Sequence, residues 1–402
     1  MSKSTLDYST LSNAVSGSAA AFRLTLRLEA VSPKVFPPTY EGGKYATEER
    51  IIGGQKLPCV LLDSVASQAN RMELALQEAW FGGEIKLPVV STDFSAVENP
   101  GLPKVTSLQA PHRIVDAILR DSIHNKIAFR KSDIGQELDQ LANAFATPLL
   151  KYAPHCLVFG MWDSTGPRGG LGVKFARSVV SEIIGVNAVA GVKTSSRIDP
   201  LNIRVQSGLL YVSKTGGWTL KKEDAALDAK KSPIKLGKDG KPSEANHGNV
   251  TPSISDGGFT IDYAEQTTVL SLPALRRLRF PIKAGDKSTP DGDNTARAYL
   301  AALGLLGATL AVEAGYDLRS RCILRAKDAV VWQLLGKPGD ADQNFSLDKA
   351  SAIKLYADAL DAVKKAKLPI HLDEIVLTPS SDLVELVKKS MEISAATTGE
   401  EK

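Results

Sequence analysis

Residues 22–30 read Phe-Arg-Leu-Thr-Leu-Arg-Leu-Glu-Ala, so that apolar and polar side chains alternate through the whole stretch. A period of two indicates a β-strand, because successive side chains of a strand point to opposite faces of its sheet. One face of this strand is expected to lie in the core, while the other carries Arg23 and Arg27. The stretch therefore predicts a sheet with one covered face and one polar face.

Strands and helices are predicted along the rest of the chain without the regular alternation of a doubly wound fold, so the predicted fold class is α+β. An apolar run ends at Leu62, and Asp63 is placed as the N-cap of a helix through about Trp80. Pro111 is placed at the start of a short helix. The remaining predicted elements are strands at 155–161, 202–212, 267–272, 319–325 and 370–377, a helix from Gly172 to about Ile184, helices at 294–314 and 346–367, and a last short helix.

The composition excludes several classes of protein. With 402 residues, 43% hydrophobic residues and a net charge of +4, the chain is neither disordered nor a coiled coil. Its three widely spaced cysteines exclude a disulfide framework and a zinc cluster. The apolar run near 300–312 is interrupted by glycines and falls short of a membrane span, and no secretion signal is evident. We therefore expect a cytoplasmic protein with no membrane partner.

Four segments organise the chain. Residues 1–19 are small and polar and predict a flexible arm, and residues 394–402 predict a flexible tail. Residues 20–393 are predicted to form a single domain. Within it, residues 214–258 are rich in Lys, Gly, Pro and Ser, so they are too polar for a core and predict a mobile basic insertion.

Residues 163–172, Asp-Ser-Thr-Gly-Pro-Arg-Gly-Gly-Leu-Gly, are the sharpest local signal. A strand, a glycine-rich turn and a helix N-terminus can present backbone N–H groups to a phosphate, and Arg168 and Lys174 add positive charge. The spacing fits neither a Walker A loop nor a dinucleotide-binding fingerprint. From the residues alone, anion binding and a plain chain-reversing turn both remain open.

Closely spaced arginines are the second signal. Arg276, Arg277 and Arg279 lie among apolar residues in 275–280. If 319–325 is a strand, Arg319, Arg321 and Arg325 share one of its faces. A face lined with arginines suits a phosphate backbone, while for any single arginine an ordinary ion pair in solvent is the commoner role.

The residues specify no reaction. The five histidines show no metal-binding spacing, and Cys156 beside His155 lies in an apolar run typical of a core. No nucleophile elbow is present. We predict no catalytic residue, no metal site and no cofactor.

Six stretches taken together resemble one protein family closely. They are 62–73 (LDSVASQANRME), 110–122 (APHRIVDAILRDS), 159–172 (FGMWDSTGPRGGLG), 196–202 (SRIDPLN), 247–249 (HGN) and 261–281 (IDYAEQTTVLSLPALRRLRFP). The family is the backbone subunit, the Cas-seven group of the RAMP superfamily, of the type I-G (formerly I-U) CRISPR Cascade. The resemblance extends from about residue 20 to 336.

The resemblance implies an RRM-like (ferredoxin-like) core with inserted helical and β-hairpin subdomains, in which 214–258 is the candidate thumb hairpin. It implies a non-catalytic subunit that oligomerises along a CRISPR RNA (crRNA) and supports target-DNA binding in antiviral defence. The implied partners are the crRNA, the target DNA strand through the guide, other copies of the chain, the large subunit and the fused Cas-five/Cas-six subunit. RNA binding of this kind is largely independent of sequence.

The candidate RNA-binding residues come from the charged stretches, the glycine-rich stretch and the family motifs. They are Arg23, Gln68, Asn70, Arg71, Ser164, Thr165, Gly166, Arg168, Gly169, Gly170, Lys174, Arg197, His247, Asn249, Arg276, Arg277 and Arg279.

Two other functions compete with this interpretation. One is a target-RNA endonuclease of the type III kind. The other is an enzyme that binds a phosphorylated small molecule at 163–172, for which only Asp163 and His155 are available as an acid or base.

Overall fold

The alternating stretch at 22–30 is a β-strand in the computed structural model of the protein, which describes residues 4–97, 103–166 and 172–400. The strand spans Ala21–Ala30 and lies within a ten-stranded sheet. Its apolar side chains from Phe22 to Leu28 are buried, whereas Thr25 and Arg27 are exposed. The predicted division into a covered face and a polar face is therefore confirmed.

The described strands, numbered in chain order, are β1 (Ser4–Thr5), β2 (Ala21–Ala30), β3 (Thr39–Tyr40), β4 (Lys44–Tyr45), β5 (Thr47–Ile52), β6 (Gln55–Asp63), β7 (Val90–Asp93), β8 (Lys104–Thr106), β9 (Ser122–His124), β10 (Ile127–Ala128), β11 (Met161–Trp162), β12 (Lys174–Phe175), β13 (Val179–Val186), β14 (Val189–Arg197), β15 (Tyr211–Val212), β16 (Trp218–Thr219), β17 (Val250–Thr260), β18 (Tyr263–Ser271), β19 (Tyr316–Arg319), β20 (Cys322–Ala326), β21 (Val331–Leu335), β22 (Gln343–Ser346) and β23 (Ile375–Pro379). The described α-helices are α1 (Tyr8–Ser16), α2 (Val65–Phe81), α3 (Ala117–Arg120), α4 (Asp133–Asp139), α5 (Thr147–Tyr152), α6 (His155–Phe159), α7 (Leu272–Arg276), α8 (Pro290–Glu313), α9 (Lys349–Lys365) and α10 (Ser381–Glu400).

The centre of the large sheet has the strand order of an RRM-like core. Strands β20 and β21 both pair with one side of β2, β18 pairs with its other side, and β13 follows β18; all of these pairs are antiparallel. Helix α2 lies between β2 and β13 in the chain, and α8 lies between β18 and β20. This is a βαββαβ arrangement with strand order 4-1-3-2. The predicted α+β class with an RRM-like core is confirmed.

Helix α8 crosses the covered face of the sheet and forms the centre of the core. It begins at Pro290 after the N-cap Thr289, and Gly315, with a φ of +88°, follows its end. A side chain at Gly304 would lie 2.8 Å from Cγ2 of Val179 on β13, so this glycine allows a close approach to the sheet. In length and hydropathy α8 matches a membrane-spanning helix, but 78% of its apolar window is buried inside the protein, as in a core helix.

A second sheet, in the order β10-β9-β23-β7-β8, is formed largely by the segment between α2 and β13. The same segment contains the short helices α3 to α6. It is a helical and β-rich insertion between the first helix and the second strand of the RRM-like core.

The chain divides into a first unit, Met1–Val189 with Phe259–Ser380, and a second unit, Ala190–Gly258 with Ser381–Lys402. In the second unit, β14 pairs with β17 and β15 pairs with β16, and Tyr211 and Leu236 are among its buried side chains. The predicted insertion at 214–258 is thus part of a larger unit that begins at Ala190.

The N-terminal segment forms regular structure where a flexible arm was predicted. Asp7 caps α1 by accepting a hydrogen bond from the Thr10 backbone N–H at 2.7 Å. Leu11, Ala14 and Val15 occupy one helical face and are buried. The prediction for 1–19 is therefore wrong over its described part, because a sequence of mostly small residues conceals an apolar face. At the other end, α10 continues to Glu400, beyond the start of the predicted tail at 394.

Two predicted elements beside the glycine-rich stretch are of the wrong type. Residues 155–159 form helix α6 rather than a strand, because a short apolar run does not distinguish a buried helix from a strand. No helix runs from Gly172 to Ile184; this segment contains β12 and most of β13, whose valines and isoleucines favour a strand.

Other differences concern boundaries and turns. Residues 319–325 form part of the β19–β20 hairpin, with Arg321 in its turn at a φ of +65°, so the three arginines do not share one strand face. The segment 202–212 contains only the short strand β15 at its end. The N-cap of α2 is Ser64 rather than Asp63, which ends β6, and α9 begins after the N-cap Asp348.

Candidate nucleic-acid interface

The glycine-rich stretch lies between the paired strands β11 and β12, and its residues 167–171 are outside the described part of the chain. Strands β11 and β12 are antiparallel, with Trp162 opposite Lys174, and the Asp163 backbone N–H extends the pairing by donating to the carbonyl oxygen of Val173 at 3.0 Å. Neither end of the loop opens a helix, so the predicted phosphate cradle at a helix N-terminus is wrong. The hairpin exposes the side chains of the paired residues Trp162 and Lys174.

Asp163 anchors the base of this hairpin. Its side chain is buried and accepts a hydrogen bond from Nη2 of Arg130 at 2.5 Å. The same Arg130 lies 2.8 Å from a carboxylate oxygen of Asp139, so one guanidinium holds two acidic groups. Burial raises the pKa of Asp139, and the charge of Arg130 opposes that rise. The carboxylate of Asp163 is therefore a structural anchor.

Two clefts flank strand β12. One, of about 250 Å³, lies between the strand and α7 and includes Lys174 and Arg277 in its lining. The other, of about 270 Å³, includes His112, Trp162, Lys174 and Arg177. Because residues 174–176 line both, the two clefts are adjacent and form one continuous surface, named here the β12 surface.

The β12 surface carries positive charge that has not been neutralised. Lys174, Arg177 and Arg277 are exposed, and none of them forms an ion pair or a side-chain hydrogen bond with any residue in the described ranges. No Asp or Glu lines either cleft. Arg177 is close enough to the buried Glu73 for its charge to oppose the rise in the pKa of that carboxyl. Exposed cations in clefts without a carboxylate in their lining are what an anionic ligand such as a phosphate requires.

Trp162 gives the same surface an aromatic ring. Its side chain is 51% exposed, although tryptophan is highly buried on average in folded proteins. Within the described part of the chain it has no ring partner and no cation–π contact.

A buried ion pair supports the second cleft. Arg113 lines the cleft, and its guanidinium donates to both carboxylate oxygens of Glu73, at 2.6 and 2.7 Å. Burial raises the pKa of Glu73 to about 7, and the charge of Arg113 opposes part of that rise. Both side chains are almost inaccessible, so this pair belongs to the framework and is not available to a ligand.

The histidine named for the enzyme alternative is enclosed in the core. His155 is fully buried, with Nε2 3.1 Å from the carbonyl oxygen of Ser107, and burial lowers its pKa to about 3. Burial also raises the pKa of the neighbouring Cys156 thiol to about 12. With Asp163 held by Arg130, neither proposed acid or base faces a ligand. Within the described ranges, no group of three or more His, Cys, Asp or Glu residues is arranged to hold a metal ion.

The structure brings some predicted RNA-binding residues together. Lys174 and Arg277 share one cleft although a hundred residues separate them in the chain. Ser164, Thr165 and Gly166 follow β11 in the chain and line neither cleft. Arg168, Gly169 and Gly170 lie outside the described residues.

Other predicted residues of the first unit have structural bonds. Gln68 is buried and donates to Asp63 at 2.6 Å, and Arg71 binds the same carboxylate at 2.9 Å and the carbonyl of Leu318 at 2.7 Å. Gln68 is therefore not available to an external strand, because its amide belongs to a core hydrogen-bond network with Ser181 and with Gln266. Asn70, on the same helix, is exposed.

Arg276 is the clearest correction among the arginines. It donates to three backbone carbonyls at the end of α1 and just beyond, those of Ala14, Val15 and Ala19, at 2.7–2.9 Å. These carbonyls have no further turn of helix to bond to, so Arg276 acts as a C-terminal cap. Arg279 lies 3.4 Å from Asp293.

Arg23 is half-buried on the polar face of β2, where it donates to Gln333 at 2.5 Å. It is thus positioned by its neighbour on β21.

The three predicted residues of the second unit lie close to one another. Arg197 donates to the Gly248 carbonyl at 2.9 Å, and the Asn249 side chain accepts from the Asp199 N–H at 2.7 Å. His247 meets the half-exposed Trp218 edge-on at 5.8 Å. The structure assigns Arg197 and Asn249 to holding the two strand ends together.

Sequence reasoning missed Trp162, Arg177 and His112 on the β12 surface. Trp162 directly precedes the glycine-rich stretch, and an aromatic residue beside such a loop was the available signal. Arg177 and His112 gave no signal, because only the fold brings their segments together.

The fold and the site define a class of protein, one with an RRM-like core that presents unpaired cations and an aromatic ring on one surface. Residues 24–190, less than half of the chain, match the model of the family described as CRISPR-associated protein GSU0053. This segment includes β11 and β12. Over these residues the chain is similar to a CRISPR-associated protein family.

Comparison with solved structures gives the crystal structure of Csc2 from Thermofilum pendens. It has 10% sequence identity and a TM-score of 0.28, with 96% of this chain and 80% of that chain covered. No curated protein sequence matches this chain.

Proposed function

We propose that this protein is a non-catalytic, crRNA-binding backbone subunit of a type I-G CRISPR interference complex. In that role several copies line the guide RNA in the cytoplasm and support target-DNA binding. The partners are the crRNA, the target DNA strand through the guide, the large subunit and the fused Cas-five/Cas-six subunit. Residues 214–258, which belong to the second unit, are the candidate thumb.

One observation carries the proposal: Lys174, Arg177 and Arg277 stand unpaired around two adjacent clefts that contain no carboxylate. Phosphate contacts from such side chains bind nucleic acid without reading its sequence. The similarity of residues 24–190 to a CRISPR-associated family supports the choice of a guide RNA as the ligand.

The test is binding of labelled single-stranded RNA by the purified protein at several salt concentrations. A variant with Lys174, Arg177 and Arg277 all changed to Ala should bind more weakly and show a smaller salt dependence. Each phosphate contact contributes roughly 0.7 to the slope of log K against log[salt], so the slope should fall by about 2.

A matched control removes the same charge elsewhere. Lys354, Lys364 and Lys365 are exposed on α9, and their triple Ala variant should bind as the wild type does. Equal losses in both triple variants would show that net charge, rather than the β12 surface, binds the RNA.

Incubation of the bound RNA with Mg²⁺ separates the scaffold from a nuclease. A backbone subunit leaves the RNA at full length, whereas discrete fragments that disappear with heat-inactivated protein would establish the type III alternative.

A further inference from the structure

We propose that Trp162 is a base-stacking residue, and that the cleft it lines receives a single unstacked base of a bound nucleic-acid strand. This inference rests on the proposed function, because it names what the β12 surface recognises beyond phosphate.

The first argument is exposure. Trp162 is 51% exposed on a two-stranded hairpin, and no ring or cation in the described chain covers it. Aromatic faces on nucleic-acid-binding surfaces stack on bases of any sequence, since every base has a π face.

The second argument is the position of the charges. Trp162 lies opposite Lys174 across the hairpin, and Arg177 lines the same cleft. A strand whose phosphates contact these cations brings its bases within reach of the ring. The alternation of cation and aromatic ring is the arrangement of single-strand binding channels.

The third argument is size. The cleft measures about 270 Å³, below the range of roughly 300–1,000 Å³ found for drug-sized ligands. It therefore suits one base and not a dinucleotide. His112 and Arg177 in its lining supply hydrogen-bonding groups beside the ring, while no carboxylate is present to repel a neighbouring phosphate.

The experiment titrates fluorescein-labelled single-stranded RNA with the full-length protein at three salt concentrations. Trp162→Leu should weaken binding at least fivefold at every salt concentration, because base–aromatic stacking is a substantial and salt-independent contribution. The slope of log K against log[salt] should stay at the wild-type value, because Lys174 and the arginines remain.

Trp162→Phe keeps an aromatic face and should recover part of the lost affinity. Phe81→Leu is the matched control, since Phe81 is 57% exposed at the end of α2 and lines neither cleft; it should bind as the wild type does.

A second oligonucleotide with abasic residues identifies the contact. The wild type should bind it more weakly than ordinary RNA, and Trp162→Leu should bind the two oligonucleotides with a smaller difference in affinity.

The outcomes distinguish this inference from the proposed function. Normal binding by Trp162→Leu, or a reduced salt slope in that variant, overturns the stacking role and leaves the proposed function standing. Absence of salt-dependent RNA binding by the wild type overturns both.

Discussion

Two concave regions of the first unit use charge in opposite ways. The groove where α2 and α8 end, about 620 Å³, is lined by Glu78, Glu84, Glu313 and Asp317 together with Arg71 and Lys349. Its cations are already bonded, Lys349 to Glu84 at 2.8 Å and Arg71 to Asp63 at 2.9 Å. The clefts of the β12 surface hold no carboxylate and leave their exposed cations unpaired. The candidate nucleic-acid site is therefore distinguished from the groove by cations without internal partners and not by its volume.

The largest effect on stability is expected at the buried ion pair between Arg113 and Glu73, which lies beneath the β12 surface. Arg113→Met leaves the buried Glu73 carboxylate without the guanidinium that donates to it. Removing one partner of a buried ion pair costs about 3–5 kcal/mol. Denaturant unfolding at pH 8 measures the change, and a loss below 1 kcal/mol would show that the Glu73 carboxylate finds another partner.

Charge reversal compares the two regions directly. Lys174→Glu with Arg277→Glu should lower RNA affinity by on the order of 10²–10⁴, since each charged hydrogen bond contributes roughly 1.5–3 kcal/mol. The opposite reversal in the groove, Glu78→Lys with Glu313→Lys, should leave RNA affinity within about twofold. Fluorescence anisotropy titrations of both variants at one salt concentration compare their RNA affinities. A larger loss of affinity in the groove variant would show that RNA binds in the groove.

The adjacent residues Arg276 and Arg277 allow the same comparison between a bonded and an unpaired cation to be made with single substitutions. Arg276→Ala should cost about 1–3 kcal/mol of stability, because three carbonyls near the end of α1 lose their donor. Arg277→Ala should hardly change stability and should weaken RNA binding instead. Unfolding and RNA titrations of both variants form the test; a reversed pattern would contradict the assignment of roles.

The smallest expected effect is a dependence of stability on pH. Burial raises the pKa of Glu73 to about 7, above the ordinary value of 4.5 that it has when unfolded. The folded state therefore holds a proton that the unfolded state releases, so this contribution to stability is complete below pH 4.5 and lost as pH rises through 7. Unfolding midpoints of the wild type should fall between pH 5.5 and 8 by more than those of Glu73→Gln.

Local sequence patterns were sufficient to predict the central strand β2 and the core helix α8. The alternation at 22–30 repeats a period of two over nine residues, and the Ala/Leu-rich run of α8 is too long for a strand. The segment from 173 to 186 was mistaken because a glycine-rich turn followed by an apolar run is compatible with either a helix or a strand.

The candidate site was harder to predict because it depends on partners distant in the sequence. Arg276 and Arg277 are adjacent and equally basic, yet only Arg276 meets the carbonyls of α1, more than 250 residues away. Gln68 was a candidate RNA-binding residue, but its amide hydrogen-bonds to Asp63 and to side chains of strands that the sequence does not place beside it. Which polar groups stay free for a ligand is therefore a property of the assembled fold.

The second unit leaves and re-enters the first between β13 and β18, which are hydrogen-bonded neighbours with Val186 opposite Tyr263. The sheet holds these two exit points together whatever lies between them. Closing a short linker across this gap needs little additional chain entropy, and a longer insert adds to that cost only slowly. The junction is thus a suitable insertion site for protein engineering. A reporter protein or a binding module whose termini lie close together can replace the segment from Ala190 to Gly258 while the strands of the RRM-like core keep their register.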